Sequence, residues 1–176
     1  MPYSDPANKA WTMIAIRDLD LPSDPITVVD VGAGAGVYAE LLRAEYGDGV
    51  HLTGIEPWLP YYERFNLLAK YDAMSCRDAR WVTNWRYDIA IFGDVMEHMP
   101  KEDALTMWQA AADHAKYGII SIPIIHYPQG EEEGNPYERH VKDDWTVTEV
   151  LESFKYITYY QRFDVTMTLV AKFPHA

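Results

Sequence analysis

The sequence predicts an α/β fold, a three-layer sandwich in which helices cover a mostly parallel seven-stranded sheet with an antiparallel last strand. Short, almost wholly apolar runs alternate with segments of helical periodicity. This alternation is typical of strands that are buried on both faces and joined by crossover helices. The last two strands follow each other with no helix between them, and so short a connection allows only antiparallel pairing.

A helix is predicted before the sheet begins. Ser4 or Asp5 can cap its N-terminus. Trp11 and Ile14 share one face of this helix, and we expect both side chains to point inward. Residues 1–25 are therefore predicted to supply a covering helix and a Pro-containing linker.

The remaining elements follow in order along a single domain, residues 1–176. The predicted strands are 26–31, 51–55, 72–76, 88–92, 117–123, 156–163 and 165–173. Helices between them are marked by apolar residues at helical spacing: Tyr38, Leu41, Leu42 and Tyr46; Tyr61, Phe65, Leu68 and Ala69; Leu105, Trp108, Ala112 and Ala115. Thr146 and Glu149 form a capping box that starts a short helix, which ends at Phe154.

Composition excludes several classes of protein. No stretch approaches the ~18 apolar residues of a membrane span. Cys76 is the only cysteine, which excludes an intramolecular disulfide and favours the cytoplasm. The net charge of −12 repels a phosphate backbone, so no nucleic-acid partner is expected.

The most informative stretch is the turn after the first strand. Gly32, Gly34 and Gly36 occupy alternate positions, where glycine permits positive φ and close approach of a ligand to the backbone. The acid at Asp30 suits a positively charged group. The Gly-x-Gly-x-x-Gly pattern of dinucleotide folds fails at Val37, and no basic phosphate-binding residue stands at the turn in the sequence. The pattern therefore favours a phosphate-free nucleoside with a cationic end.

Four acids lie at or just after the ends of successive predicted strands, namely Asp30, Glu56, Asp78 and Asp94. Ligands bind beyond the carboxyl ends of the strands in sheets of this kind. Glu56 lies 20 residues after Gly36, where a carboxylate can bind a ribose diol. We therefore expect the acids to surround one crevice.

At these residues the chain resembles the class I S-adenosylmethionine-dependent methyltransferases, a Rossmann-like family. The resemblance covers residues 26–173, and its strongest parts are 29–36, 54–56, 77–79 and 87–98. In this family the glycine turn lies against the methionine part of the cofactor, the acid after the second strand binds the ribose, and an Asp-Ala pair contacts the adenine edge. The resemblance implies S-adenosyl-L-methionine as cofactor, bound by Asp30, Gly32, Gly34, Gly36, Glu56, Pro57, Asp78, Ala79 and Asp94.

The methyl acceptor is expected at the loop 124–144, which follows the fifth strand and has little regular pattern. Loops of this length are usually functional or disordered. We predict that His126 or His140 acts as the base. The residues predicted to bind the acceptor are His98, Tyr127, Tyr137 and Glu138.

Several alternatives stay open. Histidines near acids also suggest a metal, but their spacing matches no helical His-x-x-x-His pattern, so no metal site is predicted. The expected activity is methyl transfer to an oxygen or nitrogen of a small molecule. The alternatives are a non-catalytic or regulatory subunit that binds the same cofactor, and an enzyme of other chemistry on that nucleoside. The sequence does not decide between a monomer and a homodimer.

Overall fold

The computed structural model describes residues 6–21, 24–82 and 86–174. Its single sheet has the strand order β3-β2-β1-β4-β5-β7-β6. The strands are β1 Ile26–Val31, β2 Val50–Ile55, β3 Ala73–Ser75, β4 Ile89–Gly93, β5 Tyr117–Pro123, β6 Ile157–Arg162 and β7 Thr166–Lys172. Strands β1 to β5 pair in parallel, whereas β7 is antiparallel to both β5 and β6. The predicted sheet with a reversed last strand is confirmed.

Helices lie on both faces of the sheet, as the apolar strands require. They are α1 Pro6–Arg17, α2 Val37–Tyr46, α3 Leu59–Arg64, α4 Lys101–Ala112 and α5 Val147–Ser153. Side chains alternate along β1, so Val29 and Val31 enter one core while Ile26 and Val28 enter the other. Each core thus fills the space between the sheet and one helical layer. Among the described residues, no helix combines the length and apolar character of a bilayer span.

The buried face of α1 differs from the prediction. Ile14 is 52% exposed. Trp11 is half-buried and meets Tyr159 edge to face, with the two ring centroids 5.7 Å apart. The residues that α1 buries include three polar side chains, Asn8, Lys9 and Thr12, besides Met13, Ala15 and Ile16. Polar groups are buried here because they find partners on the sheet and on α2. The predicted caps Ser4 and Asp5 lie outside the described residues.

The helix predicted around Tyr61 to Ala69 is broken in two. α3 ends at Arg64, and Asn66 adopts a left-handed conformation with φ of 51° before a 3₁₀ turn at Leu67–Ala69. This kink shifts the helical phase by about one residue. Leu67 therefore takes the buried position, whereas Leu68, predicted to face inward, is 71% exposed.

Candidate functional site

A cavity of about 410 Å³ lies at the carboxyl ends of β1, β2 and β4. Its walls come from the glycine turn, the segments that follow β2, β3 and β4, and the loop 124–144. Cavities of ~300–1,000 Å³ are typical of small-molecule sites. This location is the one that parallel α/β sheets use for ligands.

The glycine turn has the backbone that the sequence predicts. Gly32, Gly34 and Gly36 have φ of 67°, 51° and 75°. At Gly32 a Cβ would lie 2.6 Å from Cγ2 of Val95, so a side chain there would collide with the segment after β4. The amides of Gly32 and Ala33 both donate to the carbonyl oxygen of Ile55, at 2.8 and 3.0 Å. The turn is thus held against the end of β2.

Glu56 lies beside this turn with its carboxylate held by backbone amides. The amide of Gly34 donates to Oε2 at 3.0 Å, and the amide of Trp58 donates to Oε1 at 2.8 Å. Glu56 is only 4% exposed. Burial raises the pKa of Glu56 to about 7, although both amide bonds oppose the rise. The carboxylate is therefore fixed in the cavity wall and sensitive to pH near neutrality.

Asp30 is buried at the end of β1, on the floor of the cavity. The hydroxyl of Tyr71 donates to its Oδ2 at 2.6 Å. Burial raises the pKa of Asp30 to about 6, whereas the Tyr71 bond and the charge of Lys9 lower it. This acid has a dedicated donor on one oxygen and a cation nearby.

Lys9 is a cavity residue that sequence reasoning missed. Its ammonium lies 3.7 Å from the centroid of the Tyr38 ring, a cation–π contact. Burial lowers the pKa of Lys9, and the charges of Asp94 and Asp30 oppose this change. The sequence feature that could have pointed to Lys9 is the polar face that it forms with Asn8 and Thr12 on α1.

Asp78, Ala79 and Pro57 also line the cavity. Asp78 caps the 3₁₀ turn Ala79–Trp81, and its side chain accepts a hydrogen bond of 3.0 Å from the backbone amide of Arg80. The Arg80 guanidinium pairs with Asp78 at 2.5 Å, and this hydrogen bond lowers the pKa of the carboxyl. Their assignment to the adenine end remains a prediction.

Asp94 follows β4 in a left-handed conformation with φ of 57°. Ser121 donates to its Oδ1 at 3.0 Å. Its Oδ2 is buried and accepts no hydrogen bond from any residue that the structure describes. A buried carboxylate oxygen without a donor is costly, and it suits a cation or a donor on a ligand.

The loop 124–144 places most, but not all, of the predicted acceptor residues in the cavity. The residues that line it are Tyr127, Tyr137, Glu138 and His140 from this loop, together with His98. Glu138 also accepts a hydrogen bond of 2.9 Å from the hydroxyl of Tyr61, and this bond connects the loop to α3.

His126, one of the two histidines predicted as the base, lies apart from the other predicted site residues. It is not among the cavity-lining residues, its side chain is 70% exposed, and its Nδ1 lies 3.7 Å from Oδ1 of Asp143. The amide of Tyr127 donates to the carbonyl of Asp143 at 2.7 Å and joins the two arms of the loop. Tyr127 takes the inward position and His126 the outward one. The side chain of His126 therefore faces solvent rather than the cavity.

Glu97, His98 and His140 come together at the cavity wall, which sequence spacing did not predict. One ligand atom from each residue lies within 4.8 Å of the others. Burial raises the pKa of Glu97 well above its usual range, and the charge of Asp94 raises it further. Burial and the neighbouring His140 lower the pKa of His98. Sequence spacing did not bring these residues together because a loop, not a helix, carries the second histidine.

Three-dimensional comparison decides the fold family. The N-terminal domain of EvdMO1 with S-adenosylhomocysteine bound is similar at a TM-score of 0.65 and 13% identity, over 97% of this chain and 82% of that one. The small RNA methyltransferase HEN1 is similar at a TM-score of 0.72 and 15% identity, over 100% of this chain but only 26% of its own. A chain of the complex between the Haloferax volcanii Trm112 methyltransferase activator and its methyltransferase is similar at 0.68 and 14% identity, over 96% and 90%.

The chain has the class I methyltransferase fold. No family model and no curated protein sequence matches it. Within the class I methyltransferase fold, the glycine turn and the acids after β2, β3 and β4 all face the one cavity described above. At 13–15% identity the similarity establishes architecture, and the chemistry has to be argued from the residues.

Proposed function

We propose that this protein is an S-adenosyl-L-methionine-dependent methyltransferase that methylates an oxygen or nitrogen of a small molecule. The observation that carries the proposal is one cavity that joins the glycine turn to the buried carboxylates of Asp30 and Glu56. The class I methyltransferase fold supports it. So does the S-adenosylhomocysteine bound to the structurally similar EvdMO1 domain.

The residues present fit the donor group by group. Asp30 and Asp94 offer carboxylates to the sulfonium and ammonium charges, and Asp94 Oδ2 accepts no hydrogen bond from the described chain. Glu56 suits the ribose hydroxyls, and the ammonium of Lys9 suits the carboxylate of the methionine part. When bound, the donor supplies a methyl group on positive sulfur; an acceptor lone pair forms the new bond while the S–C electron pair returns to sulfur.

The acceptor is proposed to enter beside the loop 124–144. Tyr127, Tyr137 and Glu138 line that part of the cavity, and the Tyr61–Glu138 hydrogen bond holds the loop across α3. A cavity of about 410 Å³ suits a small acceptor. Alignment of donor and acceptor alone supplies effective molarities of ~10⁵ M or more in favourable cases.

The cofactor half is tested by calorimetry with two ligands, S-adenosylhomocysteine and 5′-methylthioadenosine, which keeps the nucleoside but lacks the amino-acid part. Glu56→Gln should weaken both ligands by about 1.5–3 kcal/mol, or roughly 10- to 150-fold, since it removes a charged acceptor from the ribose. Lys9→Met should weaken S-adenosylhomocysteine by a similar factor and leave 5′-methylthioadenosine almost unchanged.

Glu152→Gln on the exposed face of α5 is the control for loss of one negative charge, and it should bind both ligands as the parent does. Thermal melting of each variant confirms that it is folded. Absence of S-adenosylhomocysteine binding at about millimolar concentration in the folded parent would overturn the proposal. Equal loss of both ligands in Lys9→Met would reject the role given to Lys9.

A further inference from the structure

We propose that Glu97, His98 and His140 form a binding site for a divalent metal ion. Glu97 and His98 belong to the 3₁₀ turn Met96–His98 after β4, and His140 comes from the loop after β5. One ligand atom from each lies within 4.8 Å of the others. An ion with bonds of ~2.1 Å holds its ligand atoms about 3–4 Å apart, so atoms up to 4.8 Å apart would have to approach by roughly 1–2 Å.

The hydrogen bonds of the two histidines orient them as metal ligands. Nδ1 of His98 lies 3.2 Å from the carbonyl oxygen of Arg139, and Nδ1 of His140 lies 2.6 Å from the carbonyl oxygen of Tyr127. A carbonyl oxygen only accepts, so each Nδ1 must carry the proton. In the neutral rings Nε2 therefore carries the free lone pair. Metal-bound histidines characteristically donate their other ring nitrogen to a carbonyl or carboxylate in this way.

Glu97 supplies a carboxylate oxygen without a donor among the described residues. It is 1% exposed, and its Oε2 is buried without a hydrogen-bond donor in the described part of the chain. Asp94 Oδ2, which lines the same cavity, is likewise without a donor there. Lys9 is a buried cation in this cavity and faces Asp30 as well as these two acids. Three acidic side chains thus face one buried lysine in this part of the cavity, an arrangement that suits a further cation.

The backbone holds the three ligands together. The amides of Val141 and Lys142 both donate to the carbonyl oxygen of Glu97, at 2.8 and 3.0 Å. The segment that carries His140 is thereby attached to the turn that carries Glu97 and His98. The rings of His98 and His140 meet edge to face with centroids 4.8 Å apart. The two segments that carry the ligands are thus already joined through their backbones.

Two imidazoles and one carboxylate suit first-row divalent ions such as Mn²⁺, Fe²⁺, Co²⁺ or Zn²⁺, and three protein ligands leave positions open. On the proposed function, an acceptor hydroxyl takes an open position. The ion lowers the pKa of that hydroxyl, its proton leaves to water, and the oxygen lone pair forms the O–C bond as the S–C pair returns to sulfur. This role for the ion favours oxygen acceptors, and it makes His140 a ligand rather than the predicted base.

The test is a titration of the chelator-treated, donor-free protein with Co²⁺, followed by visible absorption. The parent should gain d–d bands that saturate at one ion per chain. His140→Gln and Glu97→Gln, each shown to be folded by circular dichroism, should bind Co²⁺ at least about 10-fold more weakly. His126→Gln is the matched control, because His126 lies beside an acid but outside the cavity, and it should bind as the parent does.

The site proposal is overturned if the parent shows no saturable Co²⁺ band up to about 1 mM, or if His126→Gln weakens binding as much as His140→Gln does. If one cluster variant does not fold, the other decides the question. Because Co²⁺ binding is measured without the donor, it is independent of the S-adenosylhomocysteine titration. Cofactor binding without Co²⁺ binding rejects only the metal site, and the reverse result rejects only the proposed function.

Discussion

The Nδ2 of Asn8 in α1 donates a hydrogen bond of 3.1 Å to the Oγ of Ser121 in β5, 113 residues away. Ser121 in turn donates to Oδ1 of Asp94 at 3.0 Å, and Thr166 donates to Oδ1 of Asn8 at 2.9 Å. The covering helix is therefore joined through buried polar groups to a carboxylate in the cavity. This network explains why α1 buries a polar face.

Replacing Asn8 with alanine should lower the free energy of unfolding by about 1–3 kcal/mol, because the hydroxyl of Thr166 loses its buried acceptor and Ser121 loses a donor. Urea denaturation measures this change. Ile14→Ala on the same helix is the control, since Ile14 is 52% exposed, and it should change stability by no more than about 0.5 kcal/mol. Equal losses in the two variants would show that the network contributes nothing beyond helix docking.

Three Gly→Ala variants separate backbone strain from steric collision. Gly32 has φ of 67° and a neighbouring Val95 methyl 2.6 Å from the added Cβ. Gly47 has φ of 54° but open space, and Gly130 has open space with no positive φ. We expect Gly130→Ala to be neutral within about 0.5 kcal/mol and Gly47→Ala to cost about 1–2 kcal/mol. Gly32→Ala should cost more than either.

Chemical denaturation ranks these three variants, and calorimetry with S-adenosylhomocysteine gives a second measurement. Only Gly32→Ala should impair ligand binding, because only Gly32 belongs to the cavity. If Gly32→Ala and Gly47→Ala were equally stable, the contact with Val95 would be readily relieved and the steric argument would be wrong.

The stability of the ligand-free protein should depend on pH through Glu56. Its pKa is raised from 4.5 to about 7 by burial, so between these values the folded state holds a proton that the unfolded state has lost. Stability contributed by this group is complete below about pH 4.5 and is lost as pH rises through 7. The loss amounts to about 3 kcal/mol at about 1.4 kcal/mol per pH unit.

Urea denaturation of the parent and of Glu56→Gln across this pH range isolates the contribution. Glutamine does not titrate, so the variant should gain up to about 3 kcal/mol relative to the parent between pH 4.5 and pH 7. Any constant offset from altered hydrogen bonds to Gly34 and Trp58 cancels in this comparison. A parallel pH dependence of the two proteins would contradict the raised pKa.

Sequence patterns predicted the sheet well because a continuous apolar run indicates a strand that is buried on both faces. The strand set, the reversed β7 and the positive φ values of the glycine turn are all confirmed. Patterns failed where the chain changes helical phase, as at Asn66, where one left-handed residue exchanges Leu67 and Leu68 between core and surface. A local backbone inversion of this kind leaves little trace in hydrophobic periodicity.

The sequence by itself determined the α/β architecture, the turn after β1 and the acids that follow successive strands, because these depend on local conformation and on where parallel strands end. Tertiary structure alone decided that Lys9 enters the cavity, that His140 faces inward while His126 faces solvent, and that Glu97, His98 and His140 meet. Buried polar side chains follow their hydrogen-bond partners, and those partners lie on distant segments that only the folded chain brings together.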